Sequence, residues 1–204
     1  MSDSGRRLVC VYCGSSAGRR PEFADEAIRL GASIAAAGLG LVYGGGRVGL
    51  MGLVADSVMG AGAPTVGVIP ESLVLAETAH NGLDRLEVVA SMHERKARMA
   101  DLACGFIVLP GGFGTLDEVF EMLTWNQLGL VNKPIVFLDG SDFWRPLRTL
   151  IDHLVESGFV NERYRSLVSF AGSVDEAVAV ASGPAPEVPG KLSSLEVTAR
   201  RDVR

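Results

Sequence analysis

With 204 residues, 48% of them hydrophobic and 21% charged, the chain has the length and composition of one folded domain with a sizeable core. Its net charge of -5 and scattered Lys and Arg give no basic footprint for nucleic acid, and its apolar runs stop short of the ~20 residues a membrane span needs. The N-terminal MSDSGRR has no apolar stretch behind it, so the expectation is a cytoplasmic protein.

The first strand is expected in RLVCVYCG, which carries Cys10 and Cys13 and ends in the glycine turn CGSS. CxxC spacing on a strand points the two side chains to opposite faces, and no second Cys/His pair accompanies them. Together with Cys104 they read as reduced, buried thiols, and no metal site is expected. Phe23, Ala27, Leu30 and Ile34 then recur at helical spacing. The next strand, LGLVYGGG, runs into GGGRVG at Gly44 to Gly49 and the helix LMGLVADSVM. That arrangement satisfies the dinucleotide pattern GxGxxG, but the acidic residue that should follow is represented only by Glu71, after a third strand, PTVGVIP, that ends differently. Close helix-to-sheet packing accounts for such glycines equally well, and no phosphate-binding GxxxxGK[ST] is present.

After the strand RLEVV comes SMHERKARM, where Ser91 and Glu94 form a capping box. Arg95, Lys96 and Arg98 bring three positive charges to the first turns of a helix, where the dipole disfavours them. Either they form a solvated face or they meet an anion, for which arginine offers a planar fork. His80, His93 and His153 fall in unrelated segments. The strand GFIVLPGG then leads into PGGFGT, with Thr115 expected at the helix N-cap, Glu118 as its T-x-x-E partner and Asp117 at the positive helix end. Leu116, Val119, Phe120 and Leu123 form one stripe of this helix, expected in the core. Glu118, Glu121, Met122 and Trp125 form another, expected to wall a polar site beside a flat ligand. Backbone N–H groups from Gly112 to Thr115 suit a phosphate, and Glu118, one turn on, would meet a sugar beyond it.

A strand in KPIVFLDG, a helix bearing Phe143, Leu147, Leu150, Ile151 and Leu154, a short LVSF strand and the helix SVDEAVAVA complete a single domain over residues 1–182. From Gly183 to Arg204, Pro, Ser and charge predict a disordered tail. Alternating strands and helices define an α/β fold: a Rossmann-like open parallel sheet with helices on both faces, whose ligands sit beyond the carboxyl ends of the strands.

PGGFGTLDE and SMHERKA, supported by YCGSS, LVYGGGRVGLMG, ETAHNGL and TWNQLG, resemble the Lonely Guy family of cytokinin riboside 5'-monophosphate phosphoribohydrolases, long labelled lysine decarboxylases. The resemblance runs from about Leu8 to Gly158. It implies a homodimer that hydrolyses the N-glycosidic bond of an N6-modified adenosine 5'-monophosphate to free base and ribose 5-phosphate, without metal or redox cofactor. It implies Arg95 and Glu118 as the catalytic pair. Substrate contacts would come from Lys96, Glu77 and the loop with Gly111, Gly112, Gly114, Thr115 and Asp117, and further from Gly14, Ser15 and Thr124. Glu121 is a candidate helper for the leaving base. Arg98 and Asp117 depart from residues common in the family. Two other readings stand beside this one: a carrier of a nucleotide or of molybdenum cofactor on the same fold, and a dinucleotide-dependent oxidoreductase. Decarboxylation of lysine ordinarily needs a Schiff-base lysine, and none of Lys96, Lys133 and Lys191 has a fitting context.

Overall fold

The structure is a computed structural model that describes residues 5–74 and 79–192. Glu77 and the end of the expected tail, residues 193–204, lie outside the described residues. Seven strands, β1 (Leu8–Tyr12), β2 (Gly40–Tyr43), β3 (Thr65–Pro70), β4 (Arg85–Val89), β5 (Ala103–Val108), β6 (Ile135–Leu138) and β7 (Ser169–Ala171), form one parallel sheet. Its order is β4-β3-β2-β1-β5-β6-β7. Each apolar run expected as a strand is one. The central strands are buried on both faces, which is why they lack an alternating pattern.

Among the described residues, six named α-helices cover the sheet: α1 (Pro21–Ala36), α2 (Gly49–Gly60), α3 (Met92–Leu102), α4 (Phe113–Leu128), α5 (Arg145–Glu156) and α6 (Val174–Ser182). One core layer packs α1, α2 and α6 on the sheet through Phe23, Leu30, Ile34, Val54, Val58 and Val178. The other packs α3, α4 and α5 through Met99, Val119, Met122 and Ile151. Cys13 belongs to the first layer and Cys10 to the second, as alternation along a strand requires. Burial pushes both thiols well up from the ordinary cysteine range, which suppresses the nucleophilic thiolate.

The chain runs outward from β1 to β4, then returns to β5 on the other side of β1. The topological switch therefore lies between the ends of β1 and β5, and two glycine loops meet there. Gly14 N–H donates to Pro110 O at 3.0 Å, tying the loops together. Beyond α6, Gly190 comes back against Gly129, the left-handed residue that ends α4.

α4 corrects two expectations. It begins at Phe113 with Gly112 at the N-cap, so Thr115 lies inside the first turn and caps nothing. The Thr115 side chain is instead buried against Gly111, where a methyl group would overlap it. The inward face carries Thr115, Glu118, Val119, Met122 and Asn126, so Met122 is core and Phe120 is partly exposed.

Candidate active site

At the carboxyl end of the sheet, a cavity of about 280 Å³ opens at the switch point, lined by Cys13, Gly14, Ser15, Met51, Leu73, Met92, Arg95, Asp117, Glu118 and the start of α4 from Gly112 to Thr115. Arg95 comes from the first turns of α3. The turn that launches this helix is set by Ser91, whose Oγ accepts Glu94 N–H at 3.2 Å, while Glu94 Oε2 accepts Ala90 N–H at 2.9 Å. Glu94 is thus structural, as its spacing indicated.

Arg95 is only 5% exposed, yet its charge is well received. Nε donates to Val68 O, within β3, at 3.1 Å and Nη2 to Gly44 O, just beyond β2, at 3.2 Å. Nη2 also lies 3.8 Å from Oε1 of Glu118, which reaches the cavity from the second turn of α4. Two ionic groups on separate helices thereby meet at the cavity floor. A buried charge held in this way is costly to strip of its partner, about 3–5 kcal/mol where measured.

The roof is the N-terminus of α4, whose first N–H groups have no intrahelical acceptor. A methyl group at Gly112 or Gly114 would meet only open space, so bare backbone faces the ligand side. That is a site for an anion, with the helix dipole behind it. The opposite wall is apolar, made by Met51, Leu73 and Met92, and Phe113 stands at the mouth with 92% of its surface exposed.

The other expected contacts divide. Gly14 and Ser15 line the cavity, as do Gly112, Gly114, Thr115 and Asp117, whereas Gly111 seats Thr115 from behind. Lys96 lies behind the wall, with Nζ 3.0 Å from Asp117 and 2.8 Å from Glu121. Burial works to lower this ammonium, but the hydrogen bonds to Glu121 and Asp117 outweigh it and hold its pKa above the ordinary lysine range. Glu121 is engaged there and does not line the cavity. Thr124 is also elsewhere: its hydroxyl donates to Phe120 O, and it borders an apolar groove between α4 and α5. Arg98 makes a two-pronged contact with Glu87 of β4 at 2.6 and 3.1 Å, away from the cavity.

The GxGxxG glycines serve other ends than a dinucleotide. A methyl group at Gly44 would overlap the Arg95 guanidinium, and Gly49, at φ 61°, packs on the backbone of Ser15. The N-terminus of α2 is engaged as well, since Leu50 N–H donates to Gly14 O at 3.1 Å. Met51, Leu73, Met92 and Phe113 were not singled out in the sequence, where scattered apolar residues look like core. Only Phe113, an aromatic side chain between two glycines of a loop, carried a signal.

Comparison with known proteins places the chain in a family. Residues 51–180 match the family model described as "Possible lysine decarboxylase". The chain is 46% identical over 179 residues to a cytokinin riboside 5'-monophosphate phosphoribohydrolase of Rhodococcoides fascians, covering 87% of this chain and 90% of that one. It is 44% identical over 172 residues to the enzyme of that name, LOG, from Oryza sativa subsp. japonica, covering 84% and 71%. Among solved structures, the molybdenum cofactor carrier protein of Chlamydomonas reinhardtii superposes with a TM-score of 0.66 at 24% identity, over 85% of this chain and 94% of that one. The molybdenum cofactor binding protein of Rippkaea orientalis gives 0.63 at 22%, over 86% and 95%. These two share the fold.

Proposed function

The chain belongs to the Lonely Guy family, and from that premise we propose that it is a phosphoribohydrolase that cleaves the N-glycosidic bond of N6-modified adenosine 5'-monophosphates. The observation that carries this reading is the Arg95–Glu118 pair on the floor of a cavity roofed by the bare N-terminus of α4. A 5'-phosphate at Gly112 to Thr115 leaves the ribose beside Glu118, one helical turn away. The carboxylate then meets the sugar, where an oxocarbenium-like charge develops at C1' during C–N cleavage. It stabilises that charge or orients the attacking water, and Arg95 fixes the carboxylate while facing the departing base. Met51, Leu73 and Met92 suit the flat purine. A carrier of an anionic cargo has no use for a carboxylate in this position.

Glu118→Gln keeps the shape and removes the charge. Turnover should fall by about a hundredfold or more with little change in KM, the mark of an interaction made in the transition state. Turnover close to wild type would remove Glu118 from the mechanism.

The same reading includes a cytoplasmic homodimer. Three free cysteines fit a reducing compartment. In support of the dimer, Phe120 of α4, more than one-third exposed, lines a groove with Leu123, Thr124, Leu154 and Tyr164, and α5 carries a further exposed apolar side chain, Leu150. Among the described residues no helix is long and apolar enough to cross a membrane.

A further inference from the structure

The buried imidazole of His80 makes one bond to α2 and one within its own segment. Nε2 lies 3.0 Å from Oδ1 of Asp56 on α2, and Nδ1 accepts Gly82 N–H at 3.1 Å. One tautomer satisfies both bonds: Nδ1 keeps its lone pair for Gly82, so Nε2 carries the hydrogen offered to Asp56. The backbone of the same segment is paired with the turn that follows β2. His80 N–H donates to Gly45 O at 3.0 Å, and Ala79 forms an antiparallel bridge with Gly46. The adjoining carbonyl, Gly44 O, is the one that receives Nη2 of Arg95.

That seat has no slack, because even a methyl group at Gly44 would occupy the space of the guanidinium. The turn itself is tight, with Gly45 at φ 77° against Ile69 and Leu86. Whatever holds the Gly44–Gly46 turn therefore sets where Arg95 points. We infer that His80 is a positioning residue for Arg95: its imidazole staples residues 79–82 to α2, and this segment holds the Gly44–Gly46 turn that seats the guanidinium. The inference rests on the proposed role of Arg95. The side chain of His80 is not among the described residues that line the cavity.

The two bonds can be separated. His80→Asn keeps an acceptor for Gly82 N–H, His80→Gln keeps a donor for Asp56, and His80→Ala loses both. The test measures kcat and KM of these variants on N6-isopentenyladenosine 5'-monophosphate, in the wild-type and Arg95→Lys backgrounds. The exchange rate of the Arg95 Nε–H is followed by nuclear magnetic resonance alongside. His80→Ala should lower kcat about tenfold with KM within about twofold, and in the Arg95→Lys background its effect should shrink to about twofold or less. The Asn and Gln variants should fall between, which keeps the comparison open if the Ala variant fails to fold. The Arg95 Nε–H should exchange faster wherever the staple is lost. An equal loss in both backgrounds, an unchanged kcat, or unchanged exchange would overturn the inference. If wild type itself releases no base, the functional reading fails separately, and the exchange rate alone decides whether His80 positions Arg95.

Discussion

Glu118 and Arg95 meet only because the fold brings α3 and α4 side by side; nothing in their separate spacings pairs them. Family resemblance suggested the pair, and local pattern left rival uses open beside it: Glu118 as the second half of a capping box and Arg95 as part of a solvated basic face. The structure explains why Arg95 tolerates an early position on a helix, since the carbonyls of Val68 and Gly44 outdo the unfavourable dipole. A second carboxyl went unremarked in the sequence. Glu26, on α1, is buried, with its Oε2 lacking a hydrogen-bond partner, and burial raises its pKa above the ordinary glutamate value despite the nearby Ser141. A carboxyl raised in the folded state contributes its full stability below about pH 4.5, the ordinary value, and loses it as pH climbs through the raised one. Glu26→Gln, neutral throughout, should therefore melt higher than wild type at pH 7 to 8, with the gap closing toward pH 4. A gap independent of pH in thermal melts would show that Glu26 is not held protonated by its surroundings.

At the scale of the element, α4 shows both what a pattern tells and where it stops. The helix, its glycine-rich start and its exposure to the ligand end were legible from PGGFGT after an apolar strand. Its first residue was not, because T-x-x-E describes a capping box wherever it occurs, whereas here the Thr115 side chain is claimed by packing against Gly111. The inward face was likewise misread by one step of the helical wheel. Met122 looked like a cavity wall and is core, and Phe120 looked like core and faces outward. The glycines of this loop do different work, which makes a paired test possible. Gly111→Ala must push Thr115 aside and should cost about 1–3 kcal/mol of stability in denaturant titration. Gly114→Ala meets no protein atom and lies inside the helix, where alanine is preferred to glycine, so stability should not fall while the KM for a nucleoside monophosphate rises. Equal stability losses in the two variants would contradict this division of labour.

For the molecule as a whole, the alternation of strands and helices was enough to give the parallel sheet, its helical layers and the end at which the cavity opens. Strand order, and with it the meeting of the CGSS and PGGFGT loops, came from the structure, because residues far apart in sequence are joined only by the return of the chain to β5. The apolar surface of α4 and α5 belongs to this scale too. Phe120→Glu places a charge in the groove of the proposed dimer face and should halve the mass seen by light scattering. An unchanged mass would locate the contact elsewhere or exclude it. The proposed reaction turns on binding of the 5'-phosphate at the N-terminus of α4, with Glu118 facing the ribose. It is tested most directly by following release of free base by chromatography from N6-isopentenyladenosine 5'-monophosphate, from AMP and from the same ribosides without phosphate. Release is expected from the N6-modified monophosphate, and none of comparable rate from its riboside. Equal release from the riboside, or no base from any nucleotide by folded protein, would contradict it.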